Sequence, residues 1–240
     1  MDSDNCRLYL ATEHSTEGNG YGLGDFVCLD SLTGLELWRT PSKSMCPCTP
    51  IYLKNKNIVI AASNDFHIYI LNAENGEVIN KIETKGEVKG RPTLSDCEKF
   101  VVASTNTGYI YCISVEDYKV TWQRNIGDRS HHSYPVVEQQ KVYVSNTAGY
   151  VVCIELLTGM VQWVCRLRGT IGWSVISTES CLVVGTTSGY VVTINKNTGQ
   201  KLSSDRLPDA FIYQPCTYSK LNNCLIVSTN KDLICYDIKL

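Results

Sequence analysis

The stretch that decides the fold is Cys153-Ile154-Glu155-Leu156-Leu157-Thr158-Gly159-Met160-Val161-Gln162-Trp163, which is typical of a strand, a tight turn and a second strand. A near copy runs from Cys28 to Trp38. Aligning each copy on the residue held by Cys153 gives one ladder along the chain: Cys28, Ile70, Cys112, Cys153, Thr193 and Cys235. The chain is therefore built from units spaced about 41 residues apart.

A second ladder of different residues keeps the same period: Pro50, Pro92, Pro135, Ser174 and Pro215. A period of about 40 to 50 residues that holds about four strands is typical of a β-propeller blade. We therefore predict an all-β fold, a propeller of about six four-stranded blades. The chain would form a single domain over residues 1–240, with repeats at approximately 5–57, 58–99, 100–140, 141–180 and 181–222 and a partial one at 223–240.

Each period contains four segments rich in β-branched and aromatic residues, bounded by Gly, Asn, Asp and Thr. In one repeat the strands are predicted around Pro135 and over residues 141–145, 150–154 and 160–163. No stretch keeps a helical periodicity, so we expect almost no helix.

The two ends of the chain are uneven. The first copy begins at strand two, the last stops after strand three, and the count comes to roughly 22 strands. Because an open edge strand invites aggregation, either the two partial blades meet or the ring is incomplete. We expect the second arrangement, in which the chain belongs to a larger ring of about seven or eight blades.

Two repeated residue types are assigned structural roles. Gly34 and Gly159 would supply the positive φ that reverses the chain after strand three. Trp38 and Trp163 stand four residues after the turn glycine, and in the third copy Trp122 stands at the same spacing after Tyr118. All three tryptophans are expected to wedge between neighbouring blades with the indole N–H satisfied. The second and fifth copies have Asn80 and Ser203 instead, which predicts looser junctions there.

Charge and hydropathy exclude two classes of partner. The net charge is −2 and 19% of residues are charged, without the clustered Lys/Arg face that nucleic-acid binding requires. No apolar run approaches the ~18 residues that span a bilayer. The acidic start, Met1 to Asp4, lacks the features of a secretory signal. We expect neither nucleic acid nor membrane as a partner.

The chain has 12 cysteines, yet their places argue against disulfides. Four of them occupy the first ladder, where Ile70 and Thr193 stand in the other copies, so the position is expected to be a buried strand position. Equivalent positions in different blades should lie too far apart to bridge. Reduced thiols predict a cytoplasmic location.

The pattern small-x-Asp/Asn-x-x-Thr/Asn-Gly-x-x-x-Trp at residues 28–38 and 153–163 resembles the repeat of the pyrroloquinoline-quinone-like (PQQ-like) β-propellers. The resemblance covers essentially the whole chain and specifies a repeat rather than an activity. Such repeats occur in quinoprotein dehydrogenases, in a bacterial outer-membrane assembly lipoprotein and in the C-terminal propeller of the β-alanine-activating enzyme, an adenylating protein of the acyl-CoA synthetase family. The cysteine-rich composition is most similar to the last.

This resemblance implies a non-catalytic binding or scaffold propeller that contacts a protein partner or other domains of the same polypeptide. Any adenylating activity would lie in domains outside this chain. The alternative is a small PQQ-dependent or other redox oxidoreductase. A quinoprotein of that type would carry vicinal cysteines and Ca²⁺ ligands. The chain has no Cys-Cys pair, and we expect neither cofactor nor catalytic residues.

Three local motifs have a functional and a structural interpretation. Cys46-Pro47-Cys48 could be a metal or redox pair, but the prolines favour a bent strand entry. His131 and His132 could bind a metal, but adjacent strand residues point to opposite faces. The glycine-rich segment 18–24 precedes a strand rather than a helix, which favours a long hairpin loop over a phosphate site. The structural interpretation is the expectation for all three.

The place left for function is the mouth of the central channel. The residues just before the proline ladder differ between copies, and positions that differ from blade to blade can specify a partner. We predict a mixed aromatic and cationic rim, suited to a peptide or a small anion, formed by Arg91, His132, Tyr134, Trp173, Tyr213 and Gln214. The alternative is that these residues differ only because blades of unequal shape need different side chains to fill the space at their inner ends.

Overall fold

The computed structural model describes residues 2, 5–14, 22–130, 133–207, 209–212, 216–221 and 224–237. Residues 236 and 237 are described by their backbone alone. In this part of the chain, 22 strands form six open antiparallel sheets, and the helical content is one 3₁₀ turn at Lys54–Lys56. The prediction of an all-β propeller of about six blades is confirmed, as is the low helix content. None of the described helices is long and apolar enough to cross a bilayer.

The chain divides into two compact units, residues 1–124 and 125–240. The first unit contains one three-stranded and two four-stranded sheets. Their strands are β1 (Arg7–Ala11), β2 (Asp25–Asp30) and β3 (Glu36–Pro41); β4 (Ile51–Leu53), β5 (Ile58–Ser63), β6 (His67–Asn72) and β7 (Val78–Glu83); and β8 (Thr93–Leu94), β9 (Phe100–Ser104), β10 (Tyr109–Ser114) and β11 (Val120–Asn125).

The second unit contains two four-stranded sheets and one three-stranded sheet. Their strands are β12 (Val136–Glu138), β13 (Lys141–Ser145), β14 (Tyr150–Glu155) and β15 (Val161–Arg166); β16 (Ile176–Ser177), β17 (Cys181–Gly185), β18 (Tyr190–Asn195) and β19 (Lys201–Arg206); and β20 (Thr217–Ser219), β21 (Cys224–Ser228) and β22 (Leu233–Asp237). In all six sheets, strands that follow one another in sequence are hydrogen-bonded neighbours.

The turn between the third and fourth strands of the repeat is held by a side-chain acceptor at its first residue. The carboxylate of Asp30 accepts hydrogen bonds from the backbone N–H groups of Leu32 and Thr33, at 2.9 and 2.7 Å. Asn72 and Asn195 hold their turns in the same way. A side-chain acceptor that binds backbone two and three residues ahead fixes such a turn locally. The sequence motif therefore serves to form the hairpin between these two strands.

The tryptophans of two repeats lie between consecutive sheets. The indole N–H of Trp38 donates to the carbonyl of Ala73 at 3.0 Å, and that of Trp163 donates to the carbonyl of Lys196 at 3.0 Å. Both rings are buried. Each acceptor belongs to the third-to-fourth-strand turn of the next sheet, so the tryptophan ties one sheet to the next. Trp122 is half-buried.

Each wedged ring packs directly over the turn glycine of the following sheet. A Cβ added to Gly76 would lie 2.6 Å from the Trp38 ring, and one added to Gly199 would lie 2.7 Å from the Trp163 ring. The glycine therefore provides both a positive φ and a close approach. Where the second copy replaces tryptophan with Asn80, the next copy replaces glycine with Tyr118, and Asn80 Nδ2 donates to the Tyr118 carbonyl at 3.0 Å.

The first ladder lines the core in four of its six positions. Cys28, Ile70, Cys112 and Cys153 have no exposed surface. All 12 cysteines are free thiols. The expectation of a buried position is wrong for Cys235, which is exposed, and Thr193 is half-buried. Cys235 lies on β22, an edge strand of a three-stranded sheet, and among the described residues no fourth strand pairs with β22.

Candidate functional site

The structure describes three of the six predicted rim residues. Arg91 is exposed in the linker that leads to β8 in the first unit. Tyr134 and Trp173 are half-buried in the second unit. His132, Tyr213 and Gln214 lie outside the described residues, as does His131. The predicted rim as a whole therefore remains a prediction.

Two rim segments of the second unit are brought together by a network of serines. The backbone N–H of Tyr134 donates to Ser174 Oγ at 2.6 Å, and Ser145 Oγ donates to the carbonyl of Trp173 at 3.0 Å. Ser133 and Ser145 share a hydrogen bond of 2.8 Å between their hydroxyls. All three serines are buried. The linkers that carry Tyr134 and Trp173 are thus fixed side by side.

The Cys46-Pro47-Cys48 motif has a structural role. Both cysteines are buried. Cys48 Sγ accepts the backbone N–H of Ala62 at 3.0 Å and donates to its carbonyl at 3.0 Å, so the thiol pairs with the backbone of β5. Burial raises the pKa of Cys48 to about 12, which keeps it a neutral thiol. In the described residues no three metal-ligating side chains form a group that could hold an ion.

The glycine-rich segment 18–24 lies mostly outside the described residues. A Cβ added to Gly24 would lie 2.4 Å from the carbonyl oxygen of Thr12 and 2.7 Å from the backbone nitrogen of Cys46. This glycine is therefore needed where three backbone segments approach each other.

A buried acidic cluster at the β5–β6 hairpin was not predicted. The side chain of Asp65 is 5% exposed, accepts a hydrogen bond from the Tyr69 hydroxyl and lies 3.4 Å from Lys81 Nζ. The same ammonium stands 4.5 Å from the centre of the Tyr69 ring. Burial raises the pKa of Asp65, but Tyr69, Lys81 and His67 together outweigh it, so the pKa lies below its usual value. The negative charge of Asp65 is therefore paired with the ammonium of Lys81 within the same sheet.

A groove lies beside the hairpins in each unit. The groove of the first unit has a volume of roughly 400 Å³ and is lined in part by Lys56, Glu98 and Glu116. The groove of the second unit has a volume of roughly 310 Å³ and is lined in part by Glu138 and Ser177.

The polar groups around the second groove serve packing. Lys196 Nζ binds both oxygens of Glu138, at 3.0 and 2.8 Å, and also the carbonyl of Thr178. Burial raises the pKa of Glu138, but its bonds to Lys196 and Ser177 outweigh this, so the pKa is lowered. The Lys196 carbonyl is the acceptor for Trp163, so this ion pair stabilises the tryptophan junction.

A surface of stacked arginines and tyrosines in the second unit was also missed. It consists of Tyr150, Arg166, Arg168, Tyr190 and Arg206, and we call it the Arg–Tyr surface. Arg166 lies over the Tyr150 ring with 5.5 Å between guanidinium carbon and ring centre. Arg168 and Arg206 both lie over Tyr190, at 5.7 and 5.8 Å. All three arginines are exposed and both tyrosines are half-buried.

The register of the sheets explains this surface. Tyr150 is the cross-strand partner of Arg166, and Tyr190 is that of Arg206. Arg168 reaches Tyr190 from the linker between the two sheets. The repeated hairpin tyrosines and the arginines that end β15 and β19 were visible in the sequence. Their pairing follows only from strand register, which the motif does not state.

Comparison with known proteins agrees with this architecture. A family model described as outer membrane protein assembly factor BamB, built on PQQ-like repeats, matches residues 23–170 and 64–239. The chain belongs to this PQQ-like repeat family. Among solved structures, BamB from Moraxella catarrhalis superposes with a TM-score of 0.68 at 18% identity, covering 91% of this chain and 73% of that one. The computationally designed Ika8 protein gives 0.76 at 13% identity, covering 93% and 70%. At these sequence identities, the two superpositions show that this PQQ-like chain shares their fold, and nothing about its function.

Curated relatives of this PQQ-like chain are distant and longer. A tetrathionate hydrolase of Acidithiobacillus ferrooxidans is 23% identical over 87% of this chain and 45% of its own length. The β-alanine-activating enzymes of Drosophila melanogaster and Danio rerio are 24% and 26% identical, over 60% and 55% of this chain and 16% and 12% of their own lengths. The chain spans less than half the length of each. The activities of these longer proteins therefore do not establish an activity for this chain.

Proposed function

We propose that this PQQ-like propeller is a non-catalytic binding module whose partners are proteins or other domains of its own polypeptide. The observation that carries the proposal is that the repeated side chains are used in packing. The tryptophans, turn residues and Cys48 all bond to the scaffold. The residues that differ from sheet to sheet before the proline ladder include exposed Arg91 and half-buried Tyr134 and Trp173. They lie in linkers, where loops commonly carry recognition. The description of the matching family model as an assembly factor supports the same reading.

The more specific proposal is that this module is the propeller portion of a protein like the β-alanine-activating enzyme. Two curated relatives with that name support it, and this chain corresponds to a small share of each. The module would contact the adenylation and carrier domains of such a protein. The 12 free thiols support a cytoplasmic location, where thiols stay reduced.

The second candidate is catalytic. The tetrathionate hydrolase alignment extends over 87% of this chain, which favours an enzyme built on the same repeat. The quinone-dependent oxidoreductase considered above would also be an enzyme, of a different reaction class. Either would need a loaded cofactor or a reactive group that the repeated residues do not supply.

One experiment separates binding from catalysis. The purified chain is examined by ultraviolet–visible absorbance and metal analysis, and then titrated with separately produced adenylation and carrier domains of a β-alanine-activating enzyme. Binding with a featureless, metal-free sample supports the proposal. A bound chromophore or a stoichiometric metal would overturn the non-catalytic reading, and a clean sample that binds neither domain would overturn the specific one.

The predicted rim is tested separately. Arg91→Ala combined with Trp173→Ala should leave the thermal unfolding midpoint close to that of the wild type and weaken partner binding. A matched pair on β19, Lys201→Ala with Leu202→Ala, should change neither, because both residues are exposed on an outer strand. Equal partner affinity in the two double variants would exclude the rim.

A further inference from the structure

We propose that the Arg–Tyr surface binds an acidic peptide segment of a protein partner. The inference rests on the proposed protein-binding function and names the chemistry of the partner. It uses a surface other than the predicted rim. All five residues lie in the second unit, at the ends of β14, β15, β18 and β19 and in one linker.

Within the part of the chain that the structure describes, no carboxylate neutralises the charges of this surface. None of the three arginines forms an ion pair with any carboxylate in the described ranges, and their contacts there are those with the two rings. Asp205 and Asp209 are near Arg206 in sequence, yet neither pairs with it. By contrast, Arg39 in the first unit is bound by Asp25 and Glu36, at 2.5 and 2.6 Å. This surface therefore differs from the site of Arg39: its three guanidinium groups lie over tyrosine rings, and two of them share one ring.

The first unit also places cations over aromatic rings. Lys81 lies over the Tyr69 ring, and the buried carboxylate of Asp65 stands 3.4 Å from the same ammonium. At the position that matches Tyr150 and Tyr190 the first unit has Tyr109, with the single ammonium of Lys85 at 4.9 Å from the ring centre. In the second unit the cations over the rings are arginines, whose planar donors fit a carboxylate supplied by another molecule.

The stacking prepares the arginines for such an anion. A guanidinium within about 6 Å of an aromatic ring centre is attracted to the ring and restricted in its motion. Its planar set of N–H donors stays available at the edges and matches a carboxylate or phosphate in a bidentate manner. Less side-chain entropy is lost on binding because the rings already orient the arginines. Arg168 and Arg206 share one ring, so one short peptide can contact both.

The choice of occupant follows from the amount of charge. Nucleic acid needs an extended basic face, whereas this surface has three cations on a chain of net charge −2. An acidic peptide, with Asp, Glu or phosphorylated side chains, needs only a few bidentate contacts. The half-buried tyrosine rings also offer apolar area to the peptide's side-chain methylenes.

The test uses the full chain and a synthetic fluorescent peptide of alternating glutamate and glycine, with a glutamine–glycine peptide of equal length as the neutral control. The wild-type chain should bind the glutamate peptide, and binding should weaken as salt rises from about 0.05 to about 0.2 M. Replacing Arg166, Arg168 and Arg206 together by Gln should lower the affinity about tenfold or more. The matched control replaces three exposed lysines by Gln and should keep the affinity: Lys119, Lys201 and Lys220.

A conservative variant separates geometry from charge. Replacing the three arginines by Lys keeps the net charge but removes bidentate binding, so the affinity should fall between the wild type and the Gln variant. Circular dichroism melts confirm that each variant is folded. Equal affinity for the two peptides, or equal affinity of the arginine and lysine Gln variants, would overturn the proposal, as would binding of a single-stranded oligonucleotide in preference to the glutamate peptide.

Failure of this inference can be told from failure of the proposed function. If an adenylation or carrier domain binds the wild type and the arginine Gln variant equally, the protein-binding function stands and the Arg–Tyr surface is not its site. If those domains bind neither chain while the glutamate peptide still binds in an arginine-dependent manner, the surface stands and the specific partner is wrong.

Discussion

Gly34 and Gly199 occupy the same place in two copies of the turn and share one backbone conformation, with φ of +73° at each. They differ in their surroundings. A Cβ at Gly34 would meet nothing within 4 Å, whereas one at Gly199 would lie 2.7 Å from the Trp163 ring. This pair separates the cost of a left-handed backbone from the cost of a clash.

Gly34→Ala should lower the free energy of unfolding by about 1 to 2 kcal/mol, the cost of a side chain in the left-handed region. Gly199→Ala should cost about 1 to 3 kcal/mol more, because the added methyl group overpacks the tryptophan junction. Urea unfolding of the two variants measures the difference. Equal losses would show that the ring does not pack over Gly199.

Thiol reactivity should follow local environment. The hydroxyl of Ser95, 3.4 Å from Cys97 Sγ, and the backbone N–H of Lys99 lower the pKa of this exposed thiol. Burial raises the pKa of Cys48 to about 12 and that of Cys153 to about 11.

We predict that iodoacetamide modifies Cys97 well before Cys48 or Cys153 near neutral pH, because the thiolate is the reactive form. Peptide mapping by mass spectrometry at successive times gives the order. In the Cys97→Ser variant this early modification should be absent, with Cys48 unchanged. Equal rates at Cys97 and Cys48 would contradict the burial that the fold assigns to Cys48.

At the scale of the element, the β5–β6 hairpin is stabilised by a charged group that the repeat does not share. Asp65 stands where other copies have Thr107, Ala148 and Ser188. Its pKa is lower in the folded protein than in the unfolded chain, so its stabilisation is fully present above the unfolded value of about 3.9 and is lost as pH falls through the lower folded value.

Asp65→Asn should therefore destabilise the protein by about 1 to 3 kcal/mol at pH 7, since it removes the charge that faces Lys81. The difference from the wild type should shrink steadily below about pH 4. Urea midpoints at a series of pH values measure this. A difference that is independent of pH between 7 and 3 would contradict the ion-pair role. The control is Glu77→Gln, at an exposed carboxylate that forms no ion pair within the described residues.

The elements were predictable where a local rule decides them. The turn motif fixed by Asp30 and Gly34, and the alternation of apolar residues, depend on neighbours in sequence. The prediction that Cys235 is buried was wrong because burial there depends on a further strand beside β22. The Asp65 cluster was not predicted because strand register brings Lys81 of β7 to the β5–β6 hairpin. The Arg–Tyr surface was not predicted for the same reason.

At the scale of the whole molecule, the repeated residues are explained by contacts between consecutive sheets within each unit. Trp38 and Trp163 lie in separate units yet make the same two contacts, an indole hydrogen bond to a turn carbonyl and a ring face over a turn glycine. Copies without tryptophan change the partner as well, as Asn80 and Tyr118 show. A catalytic origin for the motif would not require this matching between consecutive repeats.

The most direct measurement of this account is the urea unfolding of Trp163→Ala beside the wild type, with Trp163→Phe as the matched variant. The account predicts a loss of about 3 to 5 kcal/mol for Trp163→Ala, from an emptied buried slot and a lost hydrogen bond. Trp163→Phe, which keeps most of the ring, should lose clearly less. A loss below about 1 kcal/mol for Trp163→Ala would mean that the tryptophan does not join the sheets, and the packing explanation of the repeat would be contradicted.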